Sequence, residues 1–393
     1  MFRKKNILSS VVLVLVFIFF QANAMPKDKK AKSPPYEFKM EKKNPATSVK
    51  SQGRTGTCWC FSTISMLESE LIRMGKGEID LSEMFVVRHT YPLKAESYVR
   101  LHGNTTFGQG AYFHDVMDQI KRYGIVPEEV YTGKNIGEKN HNHSEMGSVL
   151  KAILDAVLKR GGSRLTPRWM DAFEALLDVY LGKPPEKFTY KGKSYTPKSF
   201  VSDYLGINPD DYVEFTSYTH HPFYQKCRLE VPDNWSFNSN FYNVPIEDLE
   251  KIIEYSLKNG YTVVWGGDVS NRDFSTTKTG YGIVPKKDWE EKTRAEREKK
   301  ITEPVEEKEV SQELRQKYFD NFTATDDHGM HIVGLARDQK GNRFYYTKNS
   351  HGKDRKFGGY VYLSRPYVLL YGLAIMVNKN GVPPEIREKI GLK

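Results

Sequence analysis

The sequence predicts an α+β fold of two lobes, with helices early in the chain and strands late. Between residues 58 and 206, apolar residues recur at spacings of three and four, which is typical of amphipathic helices. The last hundred residues instead contain runs rich in β-branched and aromatic side chains, separated by turn residues. With 393 residues, of which 39% are apolar, the chain is long enough to bury a sizeable core.

The N-terminus has the pattern of a secretory signal. Arg3, Lys4 and Lys5 precede an apolar run of about 14 residues, and Ala22–Asn23–Ala24 follows as an A-x-A cleavage site. A permanent membrane span needs roughly 20 apolar residues. We therefore predict a cleaved signal peptide at 1–24, an exported protein (periplasmic or secreted) and no stable membrane span after cleavage.

A basic segment follows the predicted signal. Residues 25–45 are rich in lysine and interrupted by prolines, so we predict a flexible leader there. Loss of the three signal cations would leave about +7 of the net charge of +10. That excess is modest, and we do not expect a nucleic-acid partner.

Cys58 opens the first predicted helix. Apolar residues behind it share one face, at Phe61, Ile64, Leu67, Leu71 and Met74. A thiol at a helix N-terminus faces free N–H groups and the positive end of the dipole, which favour thiolate and a nucleophilic role. The alternative interpretation is a small buried core residue.

The loop before this helix supports the nucleophile interpretation. Gly53 and Gly56 permit a tight turn, and Gln52 carries an amide that can return toward the thiol. That amide and the backbone N–H of Cys58 would form an oxyanion hole.

The middle of the chain predicts further helices, in 80–124 and 146–206, and a turn at Phe107–Gly110 that leaves room for a substrate backbone. His141, His143, His220 and His221 suggest a metal site, but no cysteine or carboxylate is adjacent to them in sequence. We therefore predict loop or surface histidines and no metal.

From Pro245 onward the pattern changes toward strands. A helix at Ile246–Lys258 is followed by a strand at Tyr261–Trp265 and by a charged stretch, 286–317, that fits an exposed helical insertion. Four further strands are then predicted, at His331–Ala336, Arg343–Thr347, Gly359–Leu363 and Tyr367–Val377.

His328 and Asn349 complete a candidate catalytic set. A thiol needs a base for its proton, and an imidazole needs an acceptor on its other nitrogen to fix its tautomer. The three cysteines are too few for a disulfide framework, although a Cys60–Cys227 pair remains an alternative to three free thiols.

These motifs resemble the catalytic elements of papain-like cysteine peptidases: Gln52 with Cys58–Trp59, then His328 leading into Val333–Gly334, then Asn349–Ser350. More narrowly, the chain resembles the bleomycin hydrolase and aminopeptidase C branch. That likeness is carried by Thr55–Trp59, Tyr242–Ile246 and Gly266–Val269, and by the large middle insertion; it covers roughly residues 45 to 390.

The resemblance implies a peptidase domain at 46–393, with a helical lobe at about 46–240 and a β-barrel-like lobe at about 241–393. Cys58 would attack a peptide carbonyl, His328 would carry the proton, Asn349 would orient His328 and Gln52 would donate to the oxyanion. Gly108 and Trp59 are candidate substrate contacts. No cofactor is implied, and a homo-oligomer stays open.

Three functions remain beside the aminopeptidase that the branch implies. The match ends where relatives have a C-terminal arm in the cleft, which allows an endopeptidase. Papain relatives have tryptophan where His351 stands, which allows a catalytically weak peptide-binding protein. The same Cys–His pair would also serve an acyl transferase.

Overall fold

The computed structural model describes residues 35–159, 164–298 and 301–392. The predicted signal peptide at 1–24 lies outside this range, as does the first part of the predicted leader. The described part of the chain is an α+β structure, which confirms the predicted fold class.

The helices are α1 Cys58–Arg73, α2 Glu83–Arg100, α3 Phe113–Tyr123, α4 Ser144–Leu158, α5 Arg168–Leu181, α6 Pro197–Ser199, α7 Ile246–Lys258, α8 Arg294–Glu298, α9 Gln312–Asp320, α10 Arg365–Tyr371 and α11 Pro384–Lys389. The bounds of α7 are the predicted ones. Ser82 caps α2 by accepting the N–H of Phe85 on its hydroxyl oxygen at 3.1 Å.

The strands are β1 Phe38–Lys43, β2 Phe188–Tyr190, β3 Lys193–Tyr195, β4 Tyr212–Thr216, β5 Gln225–Cys227, β6 Phe241–Asn243, β7 Val263–Gly267, β8 Phe274–Ser275, β9 Tyr281–Gly282, β10 His328–Asp338, β11 Arg343–Lys348, β12 Tyr360–Ser364 and β13 Gly372–Asn378. The main sheet runs β5-β6-β4-β13-β7-β10-β11-β12-β9-β8, with β1 added beside β10. β4 and β5 thus join the sheet from the part of the chain assigned to the helical lobe.

The long strand β10 organises the sheet around its first residue, His328. Its first half pairs antiparallel with β7, its second half pairs with β1, and β11 runs along the other edge. Because β10 and β11 are antiparallel, the start of β10 lies beside the end of β11. This topology brings His328 next to Asn349, which follows β11 directly.

Helix α1 is buried on every side from Trp59 to Leu71. It contacts β7 and β10 of the sheet as well as α2 and α3. The sequence predicted an amphipathic helix with one buried face. The difference arises because the polar residues of α1, among them Glu68 and Ser65, bond to buried groups instead of facing water.

Two segments differ from their predicted structure. Residues 38–43 were placed in the flexible leader but form β1, in which Phe38 stacks on Tyr362 with ring centroids 3.9 Å apart. Residues 367–371 were placed in the strand Tyr367–Val377 but belong to α10, Arg365–Tyr371. Pro366 lies in its first turn and Ser364 accepts the N–H of Tyr367 at 3.2 Å, which together begin a helix.

In the described part of the charged stretch 286–317, which excludes residues 299 and 300, only α8 and the start of α9 are helical. Ile301 and Val305 pack instead against an aromatic cluster that includes Tyr281 and Phe344. These contacts hold the intervening chain in a non-helical path, so the predicted helical insertion was only partly correct.

All three cysteines are free thiols, so the alternative Cys60–Cys227 pair is not formed. Within the described residues, none of the helices combines the length and the apolar composition that crossing a bilayer would require.

Candidate active site

Cys58 is the first residue of α1 and is partly exposed. It lines a small cleft together with its neighbour Trp59 and with residues from four other parts of the chain, which are Ala111, Tyr112, Phe113, Asp233, Gly266, Gly267, Asp326, Asp327, His328 and Gly329. The candidate nucleophile and the candidate base therefore lie on the walls of one cleft.

The loop before Cys58 is held by backbone bonds to a second loop. Arg54 donates its N–H to the carbonyl of His141 at 2.8 Å and accepts the N–H of His143 at 3.1 Å. Gly53 has a φ of +64°, and any side chain there would overlap the His141 carbonyl. A glycine is thus required at this position, as the sequence suggested.

His328 and Asn349 form the expected pair. The Oδ1 atom of Asn349 lies 2.8 Å from Nε2 of His328 and also accepts the N–H of Ser350 at 2.7 Å. Since an amide oxygen only accepts, Nε2 of His328 carries the proton and Nδ1 keeps its lone pair. His328 is therefore in the tautomer that a general base needs.

Gly329 connects this pair to the thiol. Its backbone N–H interacts with the Cys58 sulfur, and a side chain on Gly329 would meet the Cys58 backbone at 3.4 Å. Gly329, the residue next to His328, is therefore packed directly against Cys58, although the two are 271 positions apart.

Burial controls the protonation of both groups. It raises the pKa of the Cys58 thiol to about 11, against the opposing effect of the N–H groups of Gly329 and Trp59. It also lowers the pKa of His328 to about 4, with His351 adding to the shift and Asn349 opposing it. The N–H groups at the helix N-terminus act toward thiolate, as the sequence predicted, but desolvation has the larger effect on the pKa of Cys58.

Gln52 is buried close to the same elements. Its Oε1 accepts the hydroxyl of Ser350 at 2.5 Å, and its Nε2 donates to the carbonyl of Thr55 at 2.6 Å. An amide nitrogen carries two hydrogens, so one remains for a substrate oxygen. The backbone N–H of Cys58 is likewise a donor without a hydrogen-bond acceptor among the described residues.

Trp59 and Gly108 occupy different surroundings. Trp59 is buried, and its indole N–H donates to the carbonyl of Gln109 at 3.0 Å, while Gln109 accepts the N–H of Gly56 at 2.7 Å. These bonds fix the loop 107–110 against the start of α1. Gly108 faces open space, since a side chain there would meet nothing within 4 Å.

His351 covers one face of the candidate base. Its ring stacks on that of His328, with centroids 5.1 Å apart and planes 26° apart. Ser51 forms an isolated β-bridge with His351, which fixes the stacked residue beside the loop that precedes Cys58.

The histidines considered for metal fall into two groups. His141 and His143 lie in the loop before α4, as one of the two predicted positions, but they are buried there, and burial lowers the pKa of each to about 4. His220 and His221 meet Glu230, with nitrogen-to-oxygen distances of 3.3 and 2.9 Å, so a carboxylate that is distant in sequence does approach them.

The hydrogen bonds around His220 favour a bond to Glu230 over a metal site. Gln316 accepts the N–H of Thr219 on Oε1 at 2.7 Å, which fixes its amide, and its Nε2 donates to Nδ1 of His220 at 2.9 Å. Nδ1 is thus an acceptor, and the proton of the neutral ring lies on Nε2, toward Glu230. A metal would need that nitrogen unprotonated.

Several residues of the cleft had no role in the sequence-based site. Asp233 and Tyr112 lie in segments without a recognisable motif, and Asp326 and Asp327 directly precede His328 in the sequence. The adjacency of two aspartates to a candidate catalytic histidine was the available signal.

Comparison with known proteins adds family matches. A model of the Peptidase C1-like family matches residues 96–392, and one of the papain family cysteine proteases matches residues 34–156. Aminopeptidase G of Lactobacillus delbrueckii subsp. lactis is 24% identical over 274 residues, which cover 60% of this chain and 62% of that protein. The match thus spans less than two thirds of this relative.

Longer matches exist at similar identity. Bleomycin hydrolase of Mus musculus is 22% identical over 391 residues, which cover 87% of this chain and 82% of that protein. The crystal structure of PepW from Lactobacillus rhamnosis HN001 superposes with a TM-score of 0.70 at 17% identity, covering 90% of this chain and 84% of that one. At this identity the superposition establishes the fold.

Proposed function

We propose, from the premise that this chain belongs to the Peptidase C1-like family, that Cys58, His328 and Asn349 hydrolyse peptide bonds. The chain is a cysteine-type peptidase of the papain class. The observation that carries the choice of residues is the 2.8 Å bond between His328 and Asn349 at the cleft that Cys58 lines.

The protonation states fit attack by a neutral pair. The Cys58 thiol gives its proton to Nδ1 of His328 as sulfur bonds to the substrate carbonyl carbon, and His328 passes that proton to the departing amine. Water then attacks the thioester, with its proton going to His328, and releases the acid and the thiol. A base with a lowered pKa is free to accept at neutral pH.

Gln52 supports the negative charge of the tetrahedral intermediate in this proposal. Its remaining amide hydrogen and the N–H of Cys58 are the two donors that the described loop offers to a substrate oxygen. The bonds to Ser350 and Thr55 hold the amide in place beforehand, which is the condition for effective stabilisation.

Aminopeptidase action is the specific activity that the names of the relatives favour. An endopeptidase is the second candidate, because none of the described residues after Gly329 lines the cleft. Leu392 lines a different cavity, with Tyr212, Glu214 and Met376 among its neighbours. No described C-terminal residue therefore blocks the cleft beside Cys58.

Fluorogenic substrates distinguish these two activities. We expect release of aminomethylcoumarin from unblocked aminoacyl substrates and about tenfold less or none from the same residues with an acetylated amine. Faster cleavage of acetylated peptides would contradict aminopeptidase action and support the endopeptidase. Binding of peptides without Cys58-dependent cleavage would instead support a peptide-binding protein.

Export is a separate part of the proposal and rests on the sequence of residues 1–24. We expect the protein recovered outside the cytoplasm to begin at Met25. Sequencing of its N-terminus checks this, and a mature chain that retains Arg3 to Lys5 would contradict it.

A further inference from the structure

Three carboxylates line the cleft beside the thiol. Asp233 precedes β6, and Asp326 and Asp327 directly precede His328. All three nevertheless line the same cleft as Cys58. In a chain with a net charge of +10, this is a local cluster of acidic groups, and burial raises the pKa of each, to about 7 for Asp326 and about 6 for Asp327.

These carboxylates lack a cationic partner. In the described ranges, no lysine, arginine or histidine nitrogen comes within 4 Å of Asp233, Asp326 or Asp327, although ion pairs are common elsewhere in the molecule. The nearby Lys94 is buried and donates to the carbonyl of Gly110, and burial lowers its pKa to about 8. Lys94 makes no ion pair with Asp233, although its charge lowers the pKa of that carboxyl against the larger effect of burial.

The three aspartates differ in what already binds them. Asp326 accepts the backbone N–H of Asp233 at 3.1 Å, and Asp327 accepts that of Val269 at 2.8 Å. The carboxylate of Asp233 has no hydrogen bond within the described chain, and it lies against Gly110, where any side chain would overlap it. Asp233 is thus packed closely against Gly110, while its carboxylate makes neither a hydrogen bond nor an ion pair within the described chain.

Tyr112 provides an independent sign that this wall binds something. Only 3% of the residue is exposed, it lines the same cleft, and its hydroxyl has no hydrogen-bond partner among the described residues. A buried hydroxyl without a partner is costly, so a ligand that offers a hydrogen bond there would relieve the cost.

We propose that Asp233 and Asp326, together with the Tyr112 hydroxyl, form a site for a positively charged substrate group, an ammonium or guanidinium, next to the reacting carbonyl. This deepens the proposed peptidase function and rests on it. The shared chemistry has two sources, the free α-ammonium of a peptide or the side chain of lysine or arginine. A carboxylate that has no hydrogen bond gains most from a bound cation, because hydrogen bonds between charged groups are stronger than those between neutral groups.

The site also acts on the nucleophile. After burial, the charges of Asp233 and Asp327 contribute to the raised pKa of the Cys58 thiol. A cation bound at Asp233 offsets the repulsion between the carboxylates and the thiolate, and so makes the thiolate easier to form. The substrate would then promote its own attack, while neutral peptides would meet a less reactive thiol.

Four substrates of one scaffold test the proposal and separate the two sources. The α-ammonium arm compares leucyl with acetyl-leucyl aminomethylcoumarin, and the side-chain arm compares acetyl-lysyl with acetyl-norleucyl. We expect about tenfold or more higher kcat/KM for the cationic member of at least one pair. In Asp233→Asn this ratio falls to within about twofold, and Asp326→Asn is the second variant should the first not fold.

The matched control is Asp210→Asn, an exposed aspartate paired with Lys121 at 2.6 Å, which should keep the wild-type ratio. Calorimetric binding of the same peptides to Cys58→Ala protein gives a readout that does not need turnover. Cation-dependent binding without hydrolysis would uphold the site and reject the peptidase chemistry. Hydrolysis through Cys58 with no cation preference, or a preference that survives both Asn variants, would overturn the site.

Discussion

Cys58→Ala is expected to reduce kcat/KM for peptide substrates by about 10⁴-fold or more, because it removes the atom that forms the acyl bond. The fold should be retained, since the residue is partly exposed at the start of α1 and alanine favours a helix. Steady-state kinetics with a fluorogenic peptide and a melting curve of the variant check both statements.

Two further variants serve as comparisons for the loss of activity in Cys58→Ala. Cys227→Ala removes a free thiol on β5, away from the cleft, and should leave turnover within about twofold. Gln52→Ala should lower kcat by about 10²- to 10³-fold, the usual effect of losing one oxyanion donor. If Cys58→Ala kept a tenth of wild-type activity, the nucleophile would have to be another group.

The residues of the candidate site were predictable because each stands in a motif with a chemical reason. The order of Gln52, Cys58, His328 and Asn349 identified a papain-like fold, which the family matches and the superposition on PepW confirm. The bond between His328 and Asn349 follows from antiparallel strands, so even their contact could be anticipated.

The electrostatics of the site could not be predicted in the same way. A thiol at a helix N-terminus suggests a lowered pKa, but the burial of Cys58 depends on how β10 and the 233 and 326 segments close over it. Asp233 reaches the cleft from 175 positions away, and Glu230 reaches His221 through a turn. Such approaches depend on tertiary structure, which periodicity and spacing do not contain.

The predictions of secondary structure were wrong where tertiary contacts or helix capping outweighed the local amino-acid composition. β1 forms in a lysine-rich segment because Phe38 and Tyr36 pack on Tyr281 and Phe344, so alternate residues are buried. Residues of α10 are aromatic and β-branched, yet Ser364 and Pro366 begin a helix there. In each case one or two residues decide the element, while a composition window averages over them.

A buried charge network behind the site should dominate stability. The side chain of Glu68 on α1 is fully buried and accepts from Thr47 at 2.5 Å, from Lys50 at 2.8 Å and from the N–H of Leu81 at 3.0 Å. Lys50 also pairs with Glu83 at 2.8 Å, which joins α1 and α2 to the segment that leads into the Cys58 loop. Glu68 therefore supplies the negative charge at one end of a series of hydrogen-bonded, largely buried groups.

Glu68→Ala is expected to lower the free energy of unfolding by about 3–5 kcal/mol, because it leaves the Thr47 hydroxyl and the Leu81 N–H without their acceptor in a buried space and removes one of the carboxylates that pair with Lys50. Urea denaturation measures this, and Glu68→Gln serves if the alanine variant does not fold. The control is Glu96→Ala, whose exposed pair with Arg100 should contribute about 0.5 kcal/mol or less.

The same network reaches the catalytic strand. Lys348, the residue before Asn349, donates to Thr47 at 2.9 Å and to Ser65 at 2.7 Å, so Thr47 bonds both Lys348 and Glu68. Loss of Glu68 should therefore loosen Asn349 and reduce kcat as well as stability. A variant that unfolds within 1 kcal/mol of wild type would show that water or neighbouring groups satisfy these donors, and that the network does not hold the site together.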